Sequence, residues 1–332
     1  MPAAEEILDP ERRICDPHHH LWDYPGKSRY LLEELLADMT SGHRVETTVF
    51  VECGSFYRAT GPEALAPVGE TEFVNGVAAM FASDVYGPLR GCAGIVGMAD
   101  LTLGEEVEEV LAAHLVAGGG RFRGVRHAAG WDSSAQIHNS HTNPPEHLYA
   151  RPDFRAGFAR LRDFNLSFEA WQFHPQLPDL LELARAFPDQ PIILNHVGGF
   201  LGIGPYAGRR DEIFPTWARN IRDLAECPNV TVKVGGMGMS TYGFGFNKRE
   251  EPASSAELAE AWRPLVETCI EAFGAERAMF ESNFPMDSVS CSYATLWNAF
   301  KRLAAGCSES EKNALFRDTA HRVYRLEGEA SQ

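Results

Sequence analysis

Along this 332-residue chain, short apolar stretches of strand character alternate eight times with stretches of helical spacing, and no other feature limits the fold as strongly. Strands are predicted from Ile14 and Cys15 and over residues 45–51, 91–98, 122–126, 167–171, 191–195, 230–234 and 277–281. VETTVFV and VTVKV are rich in β-branched residues, which suit a pleated surface. Helical spacing follows nearly every strand, over residues 30–38, 71–83, 103–117, 152–164, 177–187, 214–226, 256–273, 293–305 and 310–322. Parallel strands need long crossover connections, so this alternation reads as a parallel sheet. Eight units in a chain of this length match a (β/α)8 TIM barrel better than an open doubly wound sheet. No GxGxxG follows the first strand and no GxxxxGK[ST] occurs, which weakens a nucleotide-binding version. With no internal repeat and no linker, residues 1–332 are expected to form one α/β domain.

The charge balance narrows the partners. A formal net charge of −16 opposes binding to nucleic acid or an anionic membrane. It leaves room for a small anionic substrate, because a few buried arginines can set the local field. The seven cysteines form no CxxC pair, which suits free thiols in a reducing cytoplasm. The N-terminal MPAAEEILDPERR lacks a basic start and an apolar core, so no signal peptide is expected, and no apolar run approaches a membrane span. The expected partner is a small-molecule substrate, and a homo-oligomer is compatible with the sequence.

The stretch ICDPHHHLWD, Ile14 to Asp23, marks the expected site. Asp16 and Pro17 should stop the first strand. In extended backbone alternate side chains share a face, so His18 and His20 converge while His19 turns away. Two imidazoles past a strand end can bind a metal or relay protons. The alternative is a polar surface turn, or a tag, although a tag would be a longer histidine run without Asp, Leu and Trp.

In such a barrel catalytic groups sit where strands end. The polar residues there are His18, His20, Glu52, Arg126, His127, Glu169, His174, His196 and the segment from Glu281 to Asp287. Arg126 is expected to hold a substrate carboxylate or carbonyl oxygen by a forked pair of hydrogen bonds, the alternative being a salt bridge to Glu52 or Glu169. Glu169 is expected to pair with a cation such as Lys233. Trp171 shares its face as a substrate-binding candidate. His43, His114 and His321 read as surface or capping residues. His138, His141 and His147 read as part of a solvated loop over residues 128–149. The aromatic stretch from Tyr242 to Asn247, with Trp131, could wall an apolar substrate.

With those residues in place, the chain resembles the amidohydrolase superfamily, in its amidohydrolase-2 branch with the lactonases acting on sugar lactones and 2-pyrone-4,6-dicarboxylate. The motifs are DPHHHLWD, FRGVRH, FEAWQFHPQL, LNHVGG and FESNFPMD. The resemblance implies that His18 and His20 match a histidine pair that binds a divalent metal in many relatives. It implies that His174 and His196 match histidines that ligate metal or touch substrate. Asn283 stands where the family places an aspartate. An amide offers no proton-accepting carboxylate, so the base is sought at Asp287, Glu52 or Glu281. Zinc takes three protein ligands plus water, which His18, His20 and either His196 or His174 could supply, while some lactonases of the branch work without metal.

The expected activity is hydrolysis of a lactone, with His18, His20, His174, His196, Asp287 and Glu52 as catalytic candidates and Arg126, Trp171 and Asn283 binding substrate. The alternatives are a metal-dependent decarboxylase of an aromatic or unsaturated acid, and an inactive barrel that only binds a ligand.

Overall fold

The computed structural model describes residues 5–326 and is built on eight parallel strands arranged in chain order. These are β1 (Arg13–His19), β2 (Arg44–Val51), β3 (Arg90–Gly97), β4 (Phe122–Arg126), β5 (Ser167–Ala170), β6 (Ile192–Leu194), β7 (Val230–Val234) and β8 (Ala278–Phe280). The ring closes just past the end of β8. There the amide of Asn283 donates to the His18 carbonyl and that of His20 to the Phe284 carbonyl, both at 2.8 Å. The result is a single-domain (β/α)8 TIM barrel, as the alternation predicts.

Helices lie between the strands: α1 (Leu32–Met39), α2 (Val68–Ala82), α3 (Val107–Ala117), α4 (Pro152–Arg160), α5 (Leu177–Ala186), α6 (Arg210–Ala225), α7 (Ser255–Phe273) and α8 (Tyr293–Leu303). Local chemistry sets their starts. Ser254 and Glu257 form a reciprocal capping box at α7, which satisfies two otherwise orphaned amide groups. Strand alternation sorts side chains into two cores. On β6 and β8, Ile192, Leu194, Ala278 and Phe280 face the helices, while Ile193 and Met279 point inward with Cys15, Val49, Val51 and Val96. A closing helical run, Glu309 to Tyr324, seals the barrel floor by placing Ala320 and Tyr324 against that inner cluster.

Several sequence expectations change. The first strand does not stop at Asp16 and Pro17 but runs to His19. Between Asp16 and His19 it advances three residues against two on β2, a β-bulge that re-aims the histidines. His43, His114 and His321 are buried, not surface residues. Each has an internal partner: Lys301 for His43, Thr71 for His114 and Thr47 for His321. All seven cysteines are free. Among the described residues no helix is long and apolar enough to cross a membrane.

Candidate active site

At the carboxyl ends of the strands, the bulge on β1 turns His18 and His20 inward and His19 outward onto Thr48. The ring centroids of His18 and His20 are 5.0 Å apart, and that of His196 lies 4.4 Å from His18. His196 follows β6 with a φ of 52°, and Val197 has a φ of 46°. Left-handed backbone at a β-branched residue is strained and persists only where its surroundings impose it. Here the Tyr242 hydroxyl donates to the His196 carbonyl and holds the turn.

Glu281, just beyond β8, binds this turn from the other side. Its Oε1 accepts from the His196 backbone amide at 3.2 Å and lies 2.7 Å from His196 Nδ1. Its Oε2 is 2.9 Å from His18 Nδ1 but outside hydrogen-bonding geometry, so this buried oxygen has no hydrogen bond. Burial raises the Glu281 carboxyl to about 8, against the lowering influence of Lys233. Burial, then the charge of Lys233, also pulls the His18 imidazole well below its ordinary value, and burial does the same to His196. Both rings are therefore neutral near pH 7, and His196 Nε2 is left without a hydrogen-bond partner among the described residues.

Two buried ion pairs flank the imidazoles. Lys233 Nζ lies 2.9 Å from Glu169 Oε2 and 3.1 Å from His18 Nδ1. Asn195 and Tyr324 donate to the same Glu169 carboxylate. Arg126 Nε donates to Glu52 Oε1 at 2.5 Å, its Nη2 donates to the Glu52 carbonyl, and its Nη1 is 3.4 Å from His18 Nε2. The forked edge expected to grip substrate thus grips Glu52, and the salt-bridge alternative is the arrangement found. Only Nη1 lies outside that grip, directed at the His18 ring.

The candidates for a base fare differently. Although burial pushes Glu52 up, Arg126 and His141 outweigh it and hold the carboxyl far below the usual range. Its second oxygen lies 3.0 Å from His141 Nε2. Asp287 has both oxygens engaged, by the Gly238 amide at 2.7 Å and Asn283 Nδ2 at 2.8 Å. It therefore orients Asn283, whose Oδ1 is 3.3 Å from His20 Nε2. His20 Nδ1 donates to the Val51 carbonyl at 2.8 Å, which leaves Nε2 without a proton, so its approach to Asn283 Oδ1 sets two acceptors side by side and is not a hydrogen bond. His174 lies apart from the His18, His196 and Glu281 group. Its ring stacks on Phe200 and its Nδ1 accepts from the Leu201 amide at 3.2 Å. Trp171 meets the His196 ring edge to face, with centroids 4.9 Å apart.

His18, His196 and Glu281 offer ligand atoms all within 4.8 Å of one another, a group that omits His20 and His174. Two imidazoles and a carboxylate are a donor set that catalytic zinc takes, and the unbonded Oε2 of Glu281 fits a cation there.

Two contributions escape the sequence reading. His141 is 44% exposed, as expected of a solvated loop, yet its Nε2 lies 3.0 Å from Glu52 Oε2, and with Trp131 and His138 it lines a cavity of about 700 Å³. The glycine pair after β7 is the second. A Cβ on Gly235 would lie 2.4 Å from Glu281 Cγ, and one on Gly236 would lie 2.4 Å from His196 Nδ1. GG in VTVKVGGMG was the available signal.

Known proteins resemble this chain over most of its length. The family model described as amidohydrolase matches residues 15–326. An uncharacterized protein of Sinorhizobium fredii is 34% identical over 334 residues, spanning 94% of this chain and 98% of that one. The L-fucono-1,5-lactonase of Burkholderia multivorans is 26% identical over 235 residues, 70% of this chain and 72% of that one. Among solved structures, an amidohydrolase from Burkholderia multivorans with bound zinc has a TM-score of 0.70 at 23% identity, covering 94% of this chain and 99% of its own, a likeness of fold.

Proposed function

This chain belongs to the amidohydrolase family, and on that premise we propose that it is a hydrolase opening the ring of a small sugar-derived or carboxylated lactone. One observation carries the reading: His196 Nδ1 rests on Glu281 at 2.7 Å, while its Nε2 has no hydrogen-bond partner among the described residues and its ring lies 4.4 Å from that of His18. Once ionised, the Glu281 carboxyl on one ring nitrogen fixes the tautomer and supports the imidazolium that forms as the other takes a proton, so turnover is expected to grow as pH rises toward its value of about 8. The similarity to a lactonase supports the substrate class.

In this mechanism His196 Nε2 accepts a proton from water as the water oxygen attacks the lactone carbonyl carbon. Negative charge develops on the carbonyl oxygen. Arg126, pinned by Glu52, presents Nη1 to that oxygen without reorganising, and buried Lys233 adds a fixed positive field. When the tetrahedral species collapses, the ring C–O bond breaks and the leaving alkoxide recovers the proton from His196. The product is a hydroxy acid. A divalent cation such as zinc, if held by His18, His196 and Glu281, would supply carbonyl polarisation and a more acidic water, and would then activate that water in place of His196.

The test is a panel of aldono-1,5-lactones and 2-pyrone carboxylates, followed by acid release and by carbon dioxide release. Ring opening that His196→Ala and Glu281→Gln abolish supports the proposal. Carbon dioxide release without ring opening would make the chain a decarboxylase, and tight binding without turnover would make it a binding protein. Undiminished turnover after rigorous chelation would remove the metal from the reading and leave the His196–Glu281 pair untouched.

A further inference from the structure

At the end of the barrel opposite this site, the amino-terminal ends of β2, β3 and β4 and the closing helical run enclose a cavity of about 620 Å³. Arg90, Arg121, Arg123, Arg317, Arg325 and His321 line it, and no aspartate or glutamate does. In a chain of net charge −16 the sign of this surface is reversed.

The charges there are incompletely matched. Arg90 pairs with Asp84 at 2.8 Å, and Arg317 with Asp318 at 2.8 Å and Glu46 at 3.5 Å. Arg121, Arg123 and Arg325 have no carboxylate in ion-pair reach among the described residues. Arg121 donates to the Asn75 side chain, Arg123 to the carbonyls of Gly120 and Phe122, and Arg325 to those of Arg123 and Asn165. The Nε atom of Arg123 is buried without any partner. His321 is only 5% exposed; its Nε2 meets Thr47 Oγ1 at 2.9 Å, and its Nδ1 is buried with no hydrogen bond.

Buried polar atoms without partners are rare in native structures and call for an explanation. Clustered guanidinium groups also repel one another, and burial and the neighbouring arginines pull Arg123 down from its ordinary pKa. An anion in the cavity would relieve that repulsion. A phosphate group carries about two negative charges and three acceptor oxygens, which matches three guanidinium groups that have no carboxylate in ion-pair reach among the described residues. The volume lies in the range of small-ligand pockets and leaves room for an organic moiety.

We propose that this cavity is a second, non-catalytic site that binds a phosphorylated small molecule of sugar phosphate size. It is separate from the lactone site and independent of the reaction assigned there.

The experiment is isothermal titration calorimetry on the full chain at low ionic strength, with glucose 6-phosphate and inorganic phosphate as probes and glucose as the uncharged control. Saturable one-to-one binding of glucose 6-phosphate is expected, with none of glucose. Arg123→Gln and Arg325→Gln should each raise Kd by at least about tenfold, while Arg209→Gln, at an exposed arginine outside the cavity, should not. Thermal unfolding of each variant checks that it is folded. Arg123→Lys, which keeps the charge and loses the fork, should weaken binding less than Arg123→Gln. Equal Kd in all variants would overturn the proposal, as would the absence of binding to the wild type. Binding that appears only in the full chain carrying Glu327→Gln and Glu329→Gln would identify the chain's own acidic end as the occupant, and would also overturn it.

Discussion

Replacing Glu281 by glutamine separates a catalytic carboxylate from a structural one. The carboxylate accepts from the His196 amide and meets its Nδ1. Glutamine has the same shape, so its oxygen can keep those contacts. Its NH2 group must then face His18 Nδ1, 2.9 Å from the present Oε2 and already 3.1 Å from Lys233. The amide cannot ionise, so the charge that an ionised Glu281 would set against an imidazolium at His196 is lost. General-base catalysis contributes roughly 10²–10⁴-fold, so kcat should fall by that factor, about 3–5 kcal/mol of barrier. Stability should move the other way. Burial already pushes the Glu281 carboxyl up to about 8, so a neutral amide removes the desolvation cost of ionising it, and Tm should hold or rise. The assay pairs lactone turnover with thermal unfolding, and adds His196→Ala alone and combined with Glu281→Gln. Residues acting as one unit are non-additive, so the double variant should be no slower than the worse single one. A kcat for Glu281→Gln within threefold of wild type, or fully multiplicative losses, would refute the pair as the base.

Lys233→Met strands Glu169, which is 0% exposed; a loss of about 3–5 kcal/mol of stability is expected, largely recovered by adding Glu169→Gln, and denaturant unfolding measures both. Asn283→Asp sets a second carboxylate against Asp287, 2.8 Å from the present amide nitrogen. It should cost about 1–3 kcal/mol, more at pH 8 than at pH 5, because the two groups can share a proton at the lower pH; equal losses would contradict the contact. Gly236→Ala drives a methyl group into the His196 ring, so kcat should drop by about 10²-fold while circular dichroism shows an intact barrel. Stability against pH combines two opposed sets. His18, His20, His174 and His196 are depressed by burial, so the unfolded chain binds more protons below about pH 6.5 and stability rises with pH there. Glu70, Glu281 and Asp287, each raised to about 8, keep protons on the folded chain, so stability falls as pH rises to that value. Above about pH 6.5 only the second set acts, and Tm should decline from there to pH 8.5; a steady rise over that interval would contradict the burial of these acids.

What could be read from the sequence was whatever depends on local pattern. Inward and outward residues alternate along VTVKV and PIILN, and the strands they predict form the barrel wall with ends shifted by a residue or two. Strand-end histidines are equally local, which is why His18, His20 and His196 could be named. The bulge in β1 was not readable, because it depends on the register with Thr48 and Phe50 of another strand. Neither was the purpose of Gly235 and Gly236, since the atoms that exclude a Cβ belong to Glu281 and His196, distant in the chain. Nor was the contact of His141 with Glu52 readable, because a loop histidine has no pattern to connect it with a residue 89 positions away.

The carboxylates of the site show why one of them is suited to moving protons. Glu52 faces a guanidinium and His141, is held ionised, and anchors Arg126. Glu169 is fixed by Lys233, Asn195 and Tyr324. Asp287 is raised to about 8, yet both its oxygens are engaged behind Asn283, so a proton on it has no path to substrate. Glu281 alone combines a raised value with direct contact to an imidazole whose far nitrogen is free. Environments that push neighbouring carboxyl groups apart assign their roles. The aspartate missing at Asn283 therefore need not be replaced by another acid at the same strand position: the amide is the partner of Asp287, and in the proposed mechanism proton transfer passes to the His196–Glu281 pair.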